Sequence, residues 1–223
     1  AESSDIEAMK QLWFRSVEVL TAAGLPIGIG LGLVASEFVP VVLGQQWNMA
    51  IPVVQVLAPV LGGLVIIGSH ATILMALGRN DLLFRITVVQ FPLRVVMITA
   101  LVAAAGLSGA VFAQAATGFV WFGQILYSTS HATGVAWLDP FRRTWRSFVS
   151  AAVMTVCVAG VDRWLGTGPA AMSMEWLLLY KVAAGALSYT VTHWLLWHVA
   201  SRPDGVERLA LVTLAGLRGR AAR

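Results

Sequence analysis

Charged residues are scarce in this sequence. Asp, Glu, Lys and Arg make up 12% of the 223 residues, whereas hydrophobic residues make up 58% and the mean hydropathy is +0.78. A soluble domain usually has about a quarter of its residues charged, so this chain has too few to cover a surface that faces water. The scarcity of charge excludes an ordinary soluble domain and predicts a membrane protein.

Cysteine is almost absent, and so are the motifs of several chemistries. The single Cys157 cannot form an internal disulfide, and four histidines beside it show no metal-ligand spacing. No Walker A motif or dinucleotide fingerprint occurs, and no Ser-His-acid set can be assembled at a common depth. We therefore predict that the protein is not an enzyme and has no cofactor, no metal site and no nucleic-acid partner.

The N-terminus also lacks the features of a signal peptide. The stretch "AESSDIEAMKQLWFR" is polar and charged, with no apolar run behind a basic start and no initiator Met. We expect the chain to be a fragment or a processed product.

Long apolar runs are what the sequence has in abundance. A membrane-spanning helix needs about 20 mostly apolar residues, and six segments fit this length, joined by short connections that contain Gly, Asn, Asp or Pro. The six predicted spans are 17–43, 51–77, 82–105, 110–131, 148–165 and 176–199. The predicted fold is therefore all-α: a multi-pass membrane protein with six transmembrane helices.

The basic residues are distributed unevenly about these spans. Twelve of the fifteen Lys and Arg residues fall on one side, Arg163 stands alone on the other, and Arg94 and Lys181 lie within spans. The positive-inside rule places both termini in the cytoplasm, and Lys181 is expected to snorkel to the outer surface. Residues 1–15 are predicted to form a cytoplasmic interfacial helix, and residues 201–223 a basic cytoplasmic tail that either lies on the anionic leaflet or is frayed.

Arg94 lies near the middle of the third span, in "VVQFPLRVVMITALVAA". A charge at that depth costs at least about 2.5–3.5 kcal/mol and normally faces the bundle interior or a wet cavity. Thr87, Gln90 and Arg94 share one helix face, and Pro92 removes a backbone hydrogen bond beside them. The spacing predicts an anion-binding position, and the alternative is a structural Arg paired to an acid on another helix.

A polar stripe follows the whole length of the fourth span. Its members recur at alternating steps of three and four, which keeps them on one helix face. They are Gln114, Thr117, Trp121, Gln124, Ser128 and His131. Such a stripe either lines water or makes hydrogen bonds between helices, and we expect it to line a substrate cavity together with the third span.

Small residues mark the first span, and a histidine marks the second. Gly24, Gly28 and Gly32 form a tandem small-xxx-small pattern that permits close helix packing, and Pro26 adds a possible bend. Pro92 and Pro26 are therefore the predicted hinge positions. His70 could titrate in a proton-coupled cycle, although a lone histidine on a helix is more often a hydrogen-bonded packing residue.

The order of these segments resembles a known family. "EFVPVVLGQQWNMAIPVVQVLAP", "ALGRNDLLFRI" and "GLSGAVFAQAATGFV" are similar to the C-terminal part of the polysaccharide transport family, the lipid-linked oligosaccharide flippases of the superfamily that includes multidrug exporters. Residues 41–50 are most similar, to a span-end pattern LLG-x-x-W-x-x-A.

The resemblance implies two lobes of six helices around a central cavity, followed by two extra helices. Residues 16–138 would then be four helices of the second lobe, and residues 139–200 the two additional transmembrane helices. The implied function is movement of undecaprenyl-pyrophosphate-linked oligosaccharide from the inner to the outer leaflet of the bacterial inner membrane by alternating access, with Arg94 as the residue that could meet the pyrophosphate.

The chain has about half the length of such a transporter, so the resemblance also implies partners. These are the missing N-terminal lobe or a second copy, membrane lipids, the lipid-linked oligosaccharide and polysaccharide polymerase machinery. The alternatives are a multidrug-type exporter coupled to cations, a membrane-embedded glycolipid-modifying enzyme, and an inactive fragment. The cation in the third span favours an anionic cargo over a cationic drug.

Overall fold

The structure, a computed structural model, describes residues 2–166 and 173–200, and these residues form helices and turns without strands. The predicted basic tail, 201–223, lies outside the described residues. The helices are α1 (Glu2–Leu33), α2 (Ala35–Phe38), α3 (Ile51–Leu64), α4 (Ile67–Ala76), α5 (Asn80–Thr133), α6 (Asp139–Val161) and α7 (Met174–Val199). A π-helical turn at Val39–Leu43 and a 3-10 helix at Gln45–Ala50 connect α2 to α3, and a second π-helical turn, Asp162–Gly166, follows α6.

α1 differs from the sequence-based prediction at both of its ends. It runs without a break through residues 15 and 16, so the predicted interfacial helix and the first span form one helix. Trp13 and Phe14 are buried there against Ile73 of α4. This packing explains why the helix continues through residues 15 and 16, because both aromatic side chains contact another helix of the protein. At the other end α1 stops at Leu33, ten residues before the predicted end of the span, and the short α2 and the π-helical turn follow.

α5 contains the third and fourth predicted spans as two arms. A straight helix of its 54 residues would be about 80 Å long at about 1.5 Å per residue, more than twice the bilayer core. Gly106 has φ 59° and ψ −133°, a conformation that only glycine adopts readily, and the chain reverses there. Gln90 in the first arm, residues 80–105, donates a hydrogen bond to Thr117 in the second, residues 107–133, so the arms pack as a hairpin.

α1 packs antiparallel against α3 through its glycines. Gly24 lies beside Gly62 and Val65, Gly28 beside Ala58 and Gly62, and Gly32 beside the ring of Pro59. The backbones approach so closely that a Cβ added at Gly62 would stand 2.7 Å from the Cα of Gly28. The structure thus places the three predicted packing glycines at a helix contact, which small residues make possible.

α6 and α7 pack against each other and against α1. Leu25 of α1 is buried with Met154 and Val158 of α6 and with Tyr189 of α7. The helical backbone continues through Pro26, and through Pro92 as well, since Gly106 is where the φ and ψ angles of α5 leave the helical region. Because proline has no N–H, Pro26 leaves the carbonyl of Ala22, four residues earlier, without its helical donor.

The Tyr189 hydroxyl donates a hydrogen bond of 2.8 Å to that Ala22 carbonyl. We expect Tyr189→Phe to lower the free energy of unfolding by about 1 kcal/mol, because the carbonyl then lacks a donor inside the helix bundle. Thermal unfolding of the purified protein in detergent measures the change, and Tyr180→Phe, at an exposed position of the same helix, is the matched control. Equal stability of the two variants would contradict the assigned hydrogen bond.

Within the described residues, four helical stretches are long and apolar enough to cross a membrane. They are Ile6–Leu33, Gln45–Ala76, Asn80–Thr133 and Asp139–Gly166. The prediction of an all-helical protein with long apolar helices is confirmed. The count of six spans, the cytoplasmic termini and the division at residues 15, 138 and 200 stay predictions.

Candidate functional site

A cavity of about 220 Å³ lies where the two arms of α5 meet α3. Its polar lining combines the two predicted stripes, and its apolar wall comes from α3 and the start of α4. The lining residues are Leu61, Leu64, Val65, Ile67, Gln90, Arg94, Gln114, Thr117, Gly118 and Trp121. The reversal at Gly106 is what brings the stripes together, because it lays the second arm back along the first.

Arg94 is the positive charge of this cavity. It is half-buried, and its Nε donates a hydrogen bond of 3.2 Å to Oε1 of Gln114. The ion pairs among the described residues include no carboxylate partner for Arg94. Its terminal guanidinium nitrogens are donors that suit a phosphate or carboxylate.

Gln90 and Thr117 form the buried floor beside Arg94. The Gln90 Nε2 donates to the Thr117 carbonyl over 2.6 Å, and the Thr117 hydroxyl donates to the carbonyl of Ala113 over 2.7 Å. Oε1 of Gln90 is buried without a hydrogen-bond partner. An unpaired buried acceptor is costly, and a ligand hydroxyl that donated to it would satisfy it.

The remaining residues of the predicted site lie elsewhere along α5. Thr87 is exposed and its hydroxyl donates to the carbonyl of Leu83, so it turns away from the cavity. Gln124 and Ser128 are partly buried in the lower part of the second arm, and the exposed His131 stacks on Tyr127. The polar stripe therefore extends beyond the cavity toward the end of the helix.

Sequence reasoning missed the apolar wall and the tight contact behind the cavity. Leu61, Leu64 and Val65 look like any other apolar helix residues in a sequence as rich in them as this one. Gly118 was the available signal, because a Cβ there would stand 2.6 Å from Cδ1 of Leu64. A glycine next to a polar stripe position indicates that another helix approaches closely.

His70 does not line this cavity. It is fully buried, with Nδ1 3.0 Å from the carbonyl of Ile66, and its ring lies edge-on to Trp13 and Phe122. Nε2 of His70 is buried without a hydrogen-bond partner. The structure places the residue in an aromatic cluster, and its role in coupling stays a hypothesis.

The expectation that Lys181 snorkels to the surface is wrong. Its side chain is 3% exposed and forms ion pairs with Glu37, at 2.8 Å, and with Asp162, at 2.5 Å. Glu37 lies 144 residues away in the chain, so spacing could not reveal the pair. Two carboxylates hold the ammonium inside because they compensate for the water it loses.

The described residues contain no group of three or more His, Cys, Asp or Glu side chains that could hold a metal ion. The cavity beside Arg94 contains one cation, the side-chain amides of Gln90 and Gln114, and the aromatic ring of Trp121. Such a set can bind a polar anionic molecule but supplies no nucleophile with an activating base.

Comparison with known proteins gives three matches and one negative result. The family described as "Polysaccharide biosynthesis protein" matches residues 2–52. The chain is 35% identical over 85 residues to the lipopolysaccharide biosynthesis protein WzxC of Escherichia coli (strain K12), which covers 38% of this chain and 17% of that protein. It is 28% identical over 195 residues to the teichuronic acid biosynthesis protein TuaB of Bacillus subtilis (strain 168), which covers 81% of this chain and 37% of that protein. No solved structure gives a significant match.

Proposed function

We propose that the chain, which is similar to polysaccharide biosynthesis proteins over part of their length, forms the C-terminal portion of a flippase for lipid-linked oligosaccharides. The complete protein moves an undecaprenyl-pyrophosphate-linked oligosaccharide from the inner to the outer leaflet by alternating access, for envelope or exopolysaccharide synthesis. It works in the bacterial inner membrane. The chain spans 37% or less of the length of these two relatives, so alternating access requires a second half, either the missing N-terminal lobe or a second copy.

The observation that carries this proposal is an arginine in a cavity of an apolar bundle, with no carboxylate among the residues that the structure describes to neutralise it. A cation inside a membrane helix is costly, and an anionic headgroup that binds it offsets that cost. Arg94 therefore contacts the pyrophosphate, where its planar guanidinium can donate two hydrogen bonds to phosphate oxygens.

The other cavity residues suit the sugar that follows the pyrophosphate. Oε1 of Gln90 accepts a hydroxyl hydrogen, Gln114 orients the Arg94 side chain, and the Trp121 ring offers an apolar face. A cavity of about 220 Å³ accommodates the phosphates and the start of the glycan, and the rest of the glycan lies between the two halves of the transporter.

The same charge argues against the multidrug alternative. Exporters of cationic drugs need acidic groups in the cavity, and a cationic cavity repels such cargo. The two relatives are named for the biosynthesis of lipopolysaccharide and of teichuronic acid, and the proposed activity is transport, without chemistry on the glycan. Polysaccharide polymerase machinery on the outer side would receive the product.

Replacement of Arg94 in the complete transporter tests the proposal. We expect Arg94→Leu to reduce export about 10- to 100-fold, because a hydrogen bond to a charged group contributes about 1.5–3 kcal/mol. Arg94→Lys should retain part of the activity, since it keeps the charge and loses the planar donors. The readout is surface glycan measured beside the amount of protein in the membrane.

Arg85→Leu is the matched control, because Arg85 is an exposed arginine in the same arm of α5. It should export normally. Export by Arg94→Leu at the level of Arg85→Leu, with equal amounts of protein, would remove Arg94 from the site.

A further inference from the structure

The connection between α2 and α3 leaves large apolar side chains uncovered. It runs from the π-helical turn Val39–Leu43 into the 3-10 helix Gln45–Ala50. None of the residues of the 3-10 helix is buried, and its Trp47 and Met49 are 56% and 80% exposed. Residues 41–50, the apolar connection, do not line the cavity described above, so their role is independent of the proposed function.

The π-helical turn marks the point where the chain leaves the bundle. Val39 and Pro40 are buried against the protein, whereas the next three residues, Val41, Val42 and Leu43, are exposed. Three consecutive apolar side chains therefore continue directly into the exposed part of the 3-10 helix. A contiguous apolar patch of this kind marks a contact with a membrane or with another protein.

The apolar connection carries no charge. The sequence has no Asp, Glu, Lys or Arg between Glu37 and Arg79. The connection at the other end of these helices, between α4 and α5, has Arg79 and Asp81, which form an exposed ion pair at 3.2 Å. The two ends of the same helices thus differ in the solvent to which they are suited, and water suits the charged end.

The polar side chains of the apolar connection are amides that form hydrogen bonds within it. Asn48 Nδ2 donates to Oε1 of Gln45 over 2.8 Å, and Gln46 Nε2 donates to the carbonyl of Leu43 over 3.2 Å. Moving a polar group out of water is costly unless it is hydrogen-bonded, and moving an ionised group costs far more. Neutral amides with local partners can therefore enter a partly dehydrated layer that a charged loop would avoid.

The length of α3 and α4 places the apolar connection at a membrane surface. Their helical residues run from Ile51 to Ala76, and Arg79 follows at the far end. At about 1.5 Å per residue this stretch is at most about 40 Å long, whereas a bilayer with its headgroups is about 40–45 Å thick. With Arg79 at one membrane surface, Ile51 reaches the headgroup layer of the opposite leaflet and does not extend beyond it.

Exposed tryptophans mark the same end of the bundle on other elements. Trp164 lies in the π-helical turn after α6 and Trp176 in the first turn of α7, and both are exposed. These elements meet α2 at this end, since Lys181 of α7 pairs with Glu37 of α2. Tryptophan is enriched at membrane–water interfaces, because its ring is apolar and its N–H is polar. Trp47 therefore fits a belt of tryptophans at one membrane surface.

We propose that residues 41–50 bind the membrane surface, with Trp47 and Met49 inserted among the headgroups and upper acyl chains of the leaflet opposite to Arg79. The contact does not require an anionic lipid, because the connection has no cation to pair with a phosphate. The inserted side chains fix the depth of α2 and α3, which the connection joins.

A fluorescent probe on residue 49 tests this contact in the full chain. Cys157, the single cysteine, is replaced by alanine, and Met49→Cys provides the attachment site for a fluorophore whose emission depends on its environment. The protein is reconstituted in phosphatidylcholine vesicles. We expect emission at a shorter wavelength than in water, and stronger quenching by a lipid spin label near the headgroup than by one near the end of the acyl chain.

Two control positions bracket the expected depth. Arg142→Cys, near the start of α6, replaces a side chain that is 76% exposed, and its probe should emit at the longer wavelength found in water. Val96→Cys lies in the middle of the first arm of α5 at an exposed position, and its probe should be quenched more by the deep spin label than by the shallow one. All three labelled positions are exposed, so the labels should not disturb the fold.

Removal of the tryptophan tests its part in the contact. Trp47→Ser, combined with the probe on residue 49, should move the emission toward the wavelength found in water. Trp137→Ser, at an exposed tryptophan in the connection between α5 and α6, should leave the emission of that probe unchanged. Equal emission in the two variants would contradict the role assigned to Trp47.

Three results would overturn the proposal. Emission from residue 49 at the wavelength of the Arg142→Cys probe would place the connection in water. Emission at a shorter wavelength that neither spin label quenches would show that a second copy or another protein covers the connection. Quenching with the depth profile of the Val96→Cys probe would place the connection in the hydrocarbon core and not among the headgroups.

Discussion

Replacing Gly28 by alanine is expected to force α1 away from α3, whereas the same replacement at Gly30 should be tolerated. A Cβ at Gly28 would meet the carbonyl of Ala58 and would stand 2.6 Å from the Cα of Gly62. These are backbone atoms, so no side-chain rotation can relieve the contact. A Cβ at Gly30 meets no atom within 4 Å.

The expected difference in stability between the two variants combines a loss at Gly28 with a small gain at Gly30. Overpacking costs about 1–3 kcal/mol where side chains can yield, and a contact between backbones should be at the upper end of that range or above it. Alanine at Gly30 should stabilise the helix by up to about 1 kcal/mol. Denaturation of both variants in detergent measures the difference, and Gly62→Ala with Gly63→Ala repeats the comparison on α3, where Gly63 has open space around it. Similar stability of Gly28→Ala and Gly30→Ala would show that α1 and α3 are not in such close contact.

Lys181→Met should destabilise the protein by about 3–5 kcal/mol, because it leaves the buried carboxylate of Glu37 without its cation. The methionine fills most of the space of the lysine stem, so the loss is mainly electrostatic. Lys10→Met is the control, since Lys10 pairs with Glu7 at 3.7 Å where the Glu7 side chain is 66% exposed, and such a pair contributes about 0–1 kcal/mol.

A triple variant separates the effect of the charges on stability from the effect of side-chain packing. The triple variant adds Glu37→Gln and Asp162→Asn to Lys181→Met. It removes every charge from the cluster that these three side chains form and keeps the shape of the cluster. A buried ion cluster replaced as a whole is often neutral for stability, so we expect the triple variant to recover most of what Lys181→Met loses. If it were as unstable as Lys181→Met, the cluster would act through packing and not through its charges.

The polar residues of the Arg94 cavity were predictable, but their arrangement was not. Arg94 and Gln90 were recognisable because charge and amides are rare in apolar spans, and the stripe with Gln114 and Thr117 was recognisable by its helical spacing. Periodicity gives the face of one helix and says nothing about the face it meets. The distances between Arg94 and Gln114, and between Gln90 and Thr117, depend on the reversal at Gly106 and on the register of the two arms.

Thr87 and Lys181 show where spacing along one helix fails to predict the position of a side chain. Thr87 shares the Arg94 face by spacing, yet its hydroxyl bonds to the backbone of its own helix and stays exposed. Lys181 appeared close enough to the surface to reach water, yet two acids from other elements hold it inside. In both cases a contact outside the local pattern decided the side-chain position.

The sequence by itself determined that this protein requires an apolar environment and that its local structure is helical. Its low charge and long apolar runs require a membrane or a similar apolar environment, and in such an environment helices satisfy their own backbone hydrogen bonds. Its glycines and its polar stripes marked which helix faces could pack or bind. Only the tertiary structure decided that Arg94 has no acidic partner in the part of the chain that the structure describes and that Lys181 has two. An ion pair depends on a few ångströms between residues far apart in the chain, and no periodicity along one helix encodes that distance.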